Sequence, residues 1–285
     1  MKIVLTSLLL SFAMLLGCHK KPAEITPTTS DTAWKGNKTI YYNNVSVDVV
    51  IDKPAGKTFD VLVVYHGTVT YDSLILEAAN NTLNGFKRIL ARKDMMIVSV
   101  AYPEENLLMG DNVLHSEAAL LWVKNKAAGE LGIQINKVFI AGHSQGGYIV
   151  TRLNTMHQTN GVIANAPGPL NLVYRCQLEE DGKIAQGVVC TAMKNKYGTT
   201  TANPGAYQDR SLLKYTSAFK SDILFVQGLD DTQIQMYSWP LFKQKVTGCT
   251  DCKQVLVHEV TGFGHTSLFE NADAQTVFNK FIADR

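Results

Sequence analysis

The sequence has few features of a protein that binds nucleic acid or spans a membrane. Its 285 residues carry 27 basic and 25 acidic side chains, a net charge of +2, and no run of five or more like charges. This balance argues against nucleic acid or an acidic surface as a partner. A mostly apolar run at residues 3–16 is too short to cross a bilayer as a helix. With 46% hydrophobic residues, the chain is long and apolar enough for one globular domain with a substantial core.

The first residues predict export. A single basic residue, Lys2, precedes the apolar run, and the run ends in the sequence LLGC at residues 15–18. This ending resembles a bacterial lipobox, which implies that residues 1–17 are a lipoprotein signal peptide and that Cys18 is lipid-modified. We therefore expect a membrane-anchored lipoprotein, periplasmic or at the cell surface. The alternative is a buried helix with an incidental cysteine. Residues 18–36, rich in Pro, Thr and Lys, predict a flexible tether before a folded domain at 37–285.

Cysteine is scarce, and its number fits export. Besides Cys18 there are four cysteines, and an even number in an oxidising compartment favours two disulfides. We favour the pairs Cys176–Cys190 and Cys249–Cys252, because each closes a local loop. A zinc site built from all four thiolates is the competing interpretation, but only the second pair has the C-x2-C spacing that is usual for zinc.

Strands and helices alternate after residue 38, which predicts an α/β fold with a mostly parallel, eight-stranded sheet and helices on both faces. In such sheets the ligand site lies beyond the carboxyl ends of the strands. Residues 168–210 interrupt the alternation, and we expect an excursion that covers the site. The predicted strands are 39–42, 45–51, 60–65, 95–101, 137–141, 161–165, 222–227 and 254–260, and the predicted helices are 74–93, 113–128, 145–157, 236–246 and 267–282.

A G-x-S-x-G motif supplies the candidate nucleophile. Residues 142–147 read GHSQGG, between the predicted strand KVFIA and a predicted helix. Chance matches to this motif are common, but its position between strand and helix is the one that a nucleophile elbow requires. The tight turn would hold Ser144 in strained dihedral angles, and the helix N-terminus would favour a developing negative charge.

Two later loops supply partners for this serine. A hydroxyl is a weak nucleophile near pH 7 without an adjacent base, and His265, in the sequence GFGH, is the candidate base. A carboxylate must orient that imidazole, and the sequence GLDD after a predicted strand offers Asp231, with Asp230 as its rival. The order Ser, Asp, His along the chain is the one found in α/β-hydrolases.

These residues give the chain a recognisable resemblance. Residues 39–283 resemble an α/β-hydrolase, and the second half is most similar to the catalytic domain of the prolyl oligopeptidase family and its esterase relatives. The stretches that carry the likeness are YQDRSL at 207–212, DILFVQGLDD at 222–231 and GFGH at 262–265. The chain departs from that family in having no β-propeller domain, which favours a compact esterase, and in having Gln227 where a His often precedes the Gly.

The resemblance also assigns the oxyanion hole. The residue after the nucleophile, Gln145, should give one backbone N–H. The sequence YHGTV at residues 65–69 resembles the HG element of the superfamily, so the second donor is assigned to Thr68, with Val69 as the alternative.

The substrate is less well determined than the reaction, because the same triad cleaves esters, thioesters and amides. We expect substrate contacts from Tyr71, from Tyr102 and the residues after it, and from Trp239. The favoured function is a lipid-anchored carboxylesterase acting on small or polymer-derived esters. The alternatives are a small peptidase or amidase, and a non-enzymatic lipoprotein that binds through the same fold. The mechanism requires no cofactor or metal.

Overall fold

The computed structural model of the protein describes residues 31–103 and 112–285. The predicted signal peptide, Cys18 and most of the predicted tether therefore lie outside the described residues, as do most of the positions expected to follow Tyr102 in a substrate wall. The first strand begins at Trp34, so the folded part of the chain starts within the range predicted as tether.

A single eight-stranded sheet forms the centre of the protein, in the order β1-β2-β4-β3-β5-β6-β7-β8. The pairs β1–β2 and β2–β4 are antiparallel, and every other neighbouring pair is parallel. The strands are β1 Trp34–Tyr42, β2 Val45–Lys53, β3 Thr58–Tyr65, β4 Met96–Ala101, β5 Gln134–His143, β6 Gly161–Asn165, β7 Ile223–Gly228 and β8 Val255–Val260. The carboxyl ends of the six parallel strands therefore meet at one edge, where the predicted site residues follow them.

Helices cover both faces of the sheet, as the alternating pattern predicts. They are α1 Ile75–Ile89, α2 Val113–Asn125, α3 Ala127–Leu131, α4 Gln145–Met156, α5 Leu172–Glu180, α6 Val188–Tyr197, α7 Pro204–Gln208, α8 Gln233–Thr247, α9 Ser267–Glu270 and α10 Ala272–Ala283. The sheet separates two apolar clusters: α2, α4 and α8 pack on one face, and α1 and α10 on the other. In the described ranges, no helix combines the length and the apolar character needed to cross a membrane.

The core explains why the parallel strands form where the sequence predicts them. Every residue of β4, β6 and β7 is buried, as expected for strands covered by helices on both faces. Helix α1 buries Ile75, Ala79, Leu83, Phe86 and Ile89, which recur at three- and four-residue intervals along one face. Burial of each large apolar side chain stabilises the fold by about 1.5–3 kcal/mol.

The predicted excursion at 168–210 is a small helical unit. Its helices α5, α6 and α7 enclose an apolar cluster of their own: Leu172, Cys176, Val189, Cys190, Met193 and Tyr207. A disulfide joins Cys176 of α5 to Cys190 of α6. The two ends of the unit lie together, because the Leu212 N–H donates to the Pro169 carbonyl at 3.1 Å. The second disulfide joins Cys249 to Cys252, so both predicted pairs are present.

Candidate active site

Ser144 occupies a strained turn between β5 and α4. Its backbone angles are φ 58° and ψ −118°, a conformation that a residue with a Cβ rarely adopts. The turn is fixed from the neighbouring strand, because the Ser144 N–H donates to the Asn165 carbonyl at 2.9 Å. The Tyr148 N–H donates to the Ser144 carbonyl at 3.1 Å and begins helix α4. The predicted strand–turn–helix context of the motif is therefore present.

The glycines of the motif are required by close packing. A Cβ on Gly146 would collide with the backbone carbonyl of Tyr65, at the end of β3. The contact brings the loop after β3 against the turn, since a Cβ on Gly67 would lie 3.4 Å from Ser144 Cβ. The segment predicted to hold an oxyanion donor therefore lies beside the predicted nucleophile.

Asp231 and His265 are joined directly. His265 Nδ1 lies 2.8 Å from Asp231 Oδ2, and the Asp231 side chain is only 1% exposed while that of His265 is 42% exposed. The other carboxylate oxygen, Oδ1, accepts a hydrogen bond from the Thr232 N–H at 2.7 Å. Asp230 is exposed, and its backbone N–H donates a hydrogen bond to the Phe263 carbonyl. Of the two predicted carboxylates, the structure thus brings Asp231 to the imidazole.

The loops that carry these two residues are packed against each other. Asp231 follows β7, and His265 lies between β8 and α9. A Cβ on Gly228 would collide with the carbonyl oxygens of Phe263 and Gly264. The backbone bond from Asp230 to Phe263, 2.9 Å long, adds a second link. The separation of the carboxylate and the imidazole is therefore set by the backbone.

The electrostatics favour an ionised Asp231. Burial opposes its ionisation most strongly, but the hydrogen bond and the charge of His265, with the hydrogen bond from Gln227, lower the pKa of this carboxyl below its ordinary value. His143 lies on the other side of His265, with 4.8 Å between the ring centroids. Burial, and then repulsion from His265, lowers the pKa of His143 to about 4. His143 is thus neutral near pH 7. Of the two rings, that of His265 is the one in contact with Asp231.

The structure does not join the serine to the imidazole by a hydrogen bond. Within residues 31–103 and 112–285, Ser144 Oγ and His265 make no such contact. In unliganded enzymes, hydrogen bonds between nucleophile and base are often long and shorten when substrate binds.

One predicted oxyanion donor follows Ser144 directly, and the other follows Gly67, which packs against this turn. Gln145 is the first residue of α4 and is buried, and Thr68 is exposed in the loop after β3. His66 anchors that loop from within: its ring stacks on Tyr102 at 3.9 Å, and its backbone carbonyl accepts a hydrogen bond from the Tyr102 hydroxyl. Burial lowers the pKa of His66 to about 4.

Two of the three residues predicted to contact substrate are buried in the structure. Tyr102 is fully buried, held by its contacts with His66. Trp239 is 1% exposed and donates its indole N–H to Glu259 at 2.7 Å, so it packs α8 onto the sheet. Tyr71 is 70% exposed after the β3 loop and stays a prediction.

The sequence gives no sign of one aromatic pair near the excursion. Tyr174 of α5 stacks on Tyr237 of α8 with 4.0 Å between ring centroids, and Tyr237 is 66% exposed. This pair ties the excursion to the helix that follows Asp231. No spacing in the sequence connects two tyrosines that are so far apart along the chain.

Comparison with known proteins identifies the family. Residues 62–259 match the model of a family described as having the alpha/beta hydrolase fold. The chain belongs to this alpha/beta hydrolase family. The match includes Ser144 and Asp231, and it ends just before the loop of His265. No curated protein matches the sequence of this alpha/beta hydrolase.

Solved structures share the fold of this alpha/beta hydrolase. An esterase from Pyrobaculum calidifontis is similar with a TM-score of 0.63 and 16% identity, over 90% of this chain and 85% of that chain. A thermostable esterase from Pseudomonas putida gives 0.59 and 16%, over 87% and 81%. An acylaminoacyl peptidase from Pyrococcus horikoshii gives 0.59 and 15%, over 88% of this chain but 42% of that one. These likenesses confirm the predicted α/β-hydrolase fold.

Proposed function

We propose that the chain is a serine hydrolase that cleaves carboxylic esters through an acyl-enzyme on Ser144. The observation that supports this best is a combination: a strained serine at the strand–helix turn, and a buried carboxylate bonded to an imidazole on the adjoining loops. Strain of this kind persists only where the surrounding structure enforces it, and it is concentrated at functional sites.

Each residue has a defined part in the reaction. His265 accepts the Ser144 hydroxyl proton as the oxygen attacks the ester carbonyl, and Asp231 stabilises the imidazolium that forms. The backbone N–H groups of Gln145 and Thr68 bind the oxyanion of the tetrahedral intermediate. His265 then returns the proton to the leaving alcohol. A water molecule repeats the sequence on the acyl-enzyme and releases the acid and the free serine.

A fluorophosphonate probe tests the nucleophile. The wild-type protein should be labelled, and Ser144→Ala should abolish both labelling and ester hydrolysis while leaving the melting temperature close to that of the wild type. Ser46→Ala is a matched control, because Ser46 is exposed on β2, which is separated from β5 by β4 and β3. A folded wild-type protein that takes no label would refute the enzyme and favour the non-enzymatic binding protein.

A peptidase or amidase is the second candidate, favoured by the likeness to an acylaminoacyl peptidase. A p-nitrophenyl ester and a p-nitroanilide that share one acyl group distinguish the two functions. For an esterase, kcat/KM for the ester should exceed that for the anilide by orders of magnitude. Comparable values would move the assignment to an amidase.

We propose further that Cys18 carries a lipid anchor and that the enzyme acts outside the cytoplasm. The LLGC sequence and the even number of remaining cysteines support this, and both of their pairs are disulfides in the fold. Incorporation of an alkyne fatty acid in cells, lost in Cys18→Ala, tests the anchor. Incorporation that persists in the variant would refute lipidation at Cys18.

A further inference from the structure

Gln227 is a buried amide in contact with the carboxylate of the site. It lies near the end of β7, is completely buried, and donates through Nε2 to Asp231 Oδ2 at 2.9 Å. The same nitrogen lies 2.9 Å from the Gly228 carbonyl. Asp231 Oδ2 therefore accepts from two side chains, Gln227 and His265, while Oδ1 accepts from the Thr232 backbone.

The orientation of this amide follows from its surroundings. The two oxygens beside Nε2, a backbone carbonyl and an ionised carboxylate, are both acceptors. Rotating the amide by 180° would place its own oxygen against both of these acceptors with no proton between them, buried away from water. Gln227 must therefore present its NH₂ group to Asp231.

A second glutamine connects Gln227 with the loop that supports the turn of Ser144. Gln235, in the first turn of α8, donates through Nε2 to the Pro167 carbonyl at 2.7 Å, and the same nitrogen lies 3.5 Å from Gln227 Oε1. The next residue, Gly168, donates its N–H to the Ser144 carbonyl at 3.1 Å. The amides thus connect the loop that supports Ser144 with the carboxylate that orients His265.

We propose that Gln227, held by Gln235, is a positioning residue that fixes the rotamer of Asp231 so that Oδ2 faces His265. This inference rests on the proposed triad. Without the amide, the carboxylate keeps the Thr232 backbone bond to Oδ1 but loses one of the two donors that define the direction of Oδ2. Because His265 is half exposed, it contributes less constraint than a buried partner would. In the family that the chain resembles, a His often stands at the position of Gln227, and a histidine N–H can also donate a hydrogen bond to a carboxylate.

Gln227→Met tests the inference, because methionine has a similar length and no N–H donor. We expect kcat to fall about tenfold with KM little changed, the effect of losing one hydrogen bond to a charged group. Gln227→His should recover most of the loss, because it restores a donor. Gln177→Met is the control. Gln177 is exposed on α5, so this substitution should leave kcat unchanged.

Gln227→Glu provides a readout that a purely structural role would not change. Two buried carboxylates at hydrogen-bond distance share a proton, so the acidic limb of the kcat profile should move to higher pH by about one unit or more. The titratable groups that act on this carboxylate are His265, on the loop after β8, and His143, at the end of β5, and neither is changed by the substitution.

An NMR measurement separates this inference from the proposed function. The proton shared by His265 Nδ1 and Asp231 should give a downfield resonance whether or not any ester is cleaved, and Gln227→Met should broaden or shift it. If the wild type hydrolyses no substrate but the resonance responds in this way, the function fails and the positioning role stands. If Gln227→Met lowers only the melting temperature and leaves kcat, the pH profile and the resonance unchanged, the positioning role is wrong.

Discussion

Replacing Asp231 by asparagine tests the assignment of the carboxylate with a matched control beside it. Asp231→Asn removes the negative charge 2.8 Å from His265 Nδ1 but keeps the size of the side chain. At an effective dielectric constant of about 20, an ion pair at this distance is worth about 6 kcal/mol. An asparagine also cannot accept at both oxygen positions, so its NH₂ must oppose either the Thr232 N–H or the donors on Oδ2.

The expected loss follows from that energy. If most of the attraction is expressed when His265 becomes an imidazolium in the transition state, kcat should fall by about 10⁴-fold, which corresponds to about 5.4 kcal/mol. Asp230→Asn should leave kcat within about twofold, because Asp230 is exposed and contributes a backbone bond that the substitution preserves. The assay is steady-state hydrolysis of a p-nitrophenyl ester at several pH values, with thermal melting of each variant.

Two results would refute the reasoning. A larger loss in Asp230→Asn than in Asp231→Asn would exchange their roles. A loss below about tenfold in Asp231→Asn, in a protein that melts like the wild type, would mean that His265 does not depend on a carboxylate. Residual activity that is equal in Asp231→Asn and Ser144→Ala would instead fit a single catalytic unit, since triad members act together.

Three further predictions concern packing, acid stability and the cysteines. Gly228→Ala should lower kcat at least 100-fold, because its Cβ must displace the loop of His265, and misplacement by about 1 Å has effects of that size. The pKa of a histidine in the unfolded chain is about 6.5. In the folded protein, burial lowers the pKa of His66 and of His143 to about 4. The free energy of unfolding should therefore fall by about 2 kcal/mol for each of these residues between pH 7 and pH 5, as measured by urea titration. Thiol titration of the unfolded, non-reduced polypeptide from residue 31 onward should find no free thiol, because its cysteines form two disulfides.

Controls exist for each of these measurements. Gly129→Ala adds the same methyl group in open space and should leave kcat unchanged. His66→Gln should reduce the loss of stability in acid, and a wild-type urea midpoint that is equal at pH 7 and pH 5 would contradict the buried-histidine account. Four titratable thiols in the thiol measurement would overturn both disulfides.

The central part of the fold follows closely from the sequence. The continuous apolar runs of β3, β4, β6 and β7 are typical of strands that are buried on both faces. The observed bounds of these strands differ from the predicted bounds by at most two residues. The edge strand β1 follows less closely from the sequence. Residues 35–38 of β1 carry no apolar side chain and are largely exposed, because this strand pairs on one side only, so no hydropathy pattern marks them. Likewise, a single predicted helix at 113–128 is two, α2 and α3, that meet at Lys126.

Site residues can be predicted from the sequence where the chemistry allows few residue types. They cannot be predicted where only contacts in the folded structure select the residue. Ser144 and His265 were found from motifs at strand ends, and the backbone there places them as expected. The choice between Asp230 and Asp231 required the direction of two adjacent side chains, which composition does not encode. The burial of Tyr102 and Trp239 is not evident from the sequence, because aromatic residues next to a site serve equally in the core. Gln227 was noticed only as a departure from a resemblance, since an amide carries no signature of the carboxylate it contacts.

The adjoining ends of the excursion have an evolutionary consequence. A segment that leaves the sheet at Pro169 and returns at Leu212, with its own apolar centre and covalent brace, can be lengthened, shortened or exchanged as a cassette without disturbing β6 or β7. Such an exchange would change the surface beside Tyr237 of α8 and leave the loops that carry Asp231 and His265 in place. The helical unit and the loops that carry the three predicted catalytic residues are thus able to change independently of each other.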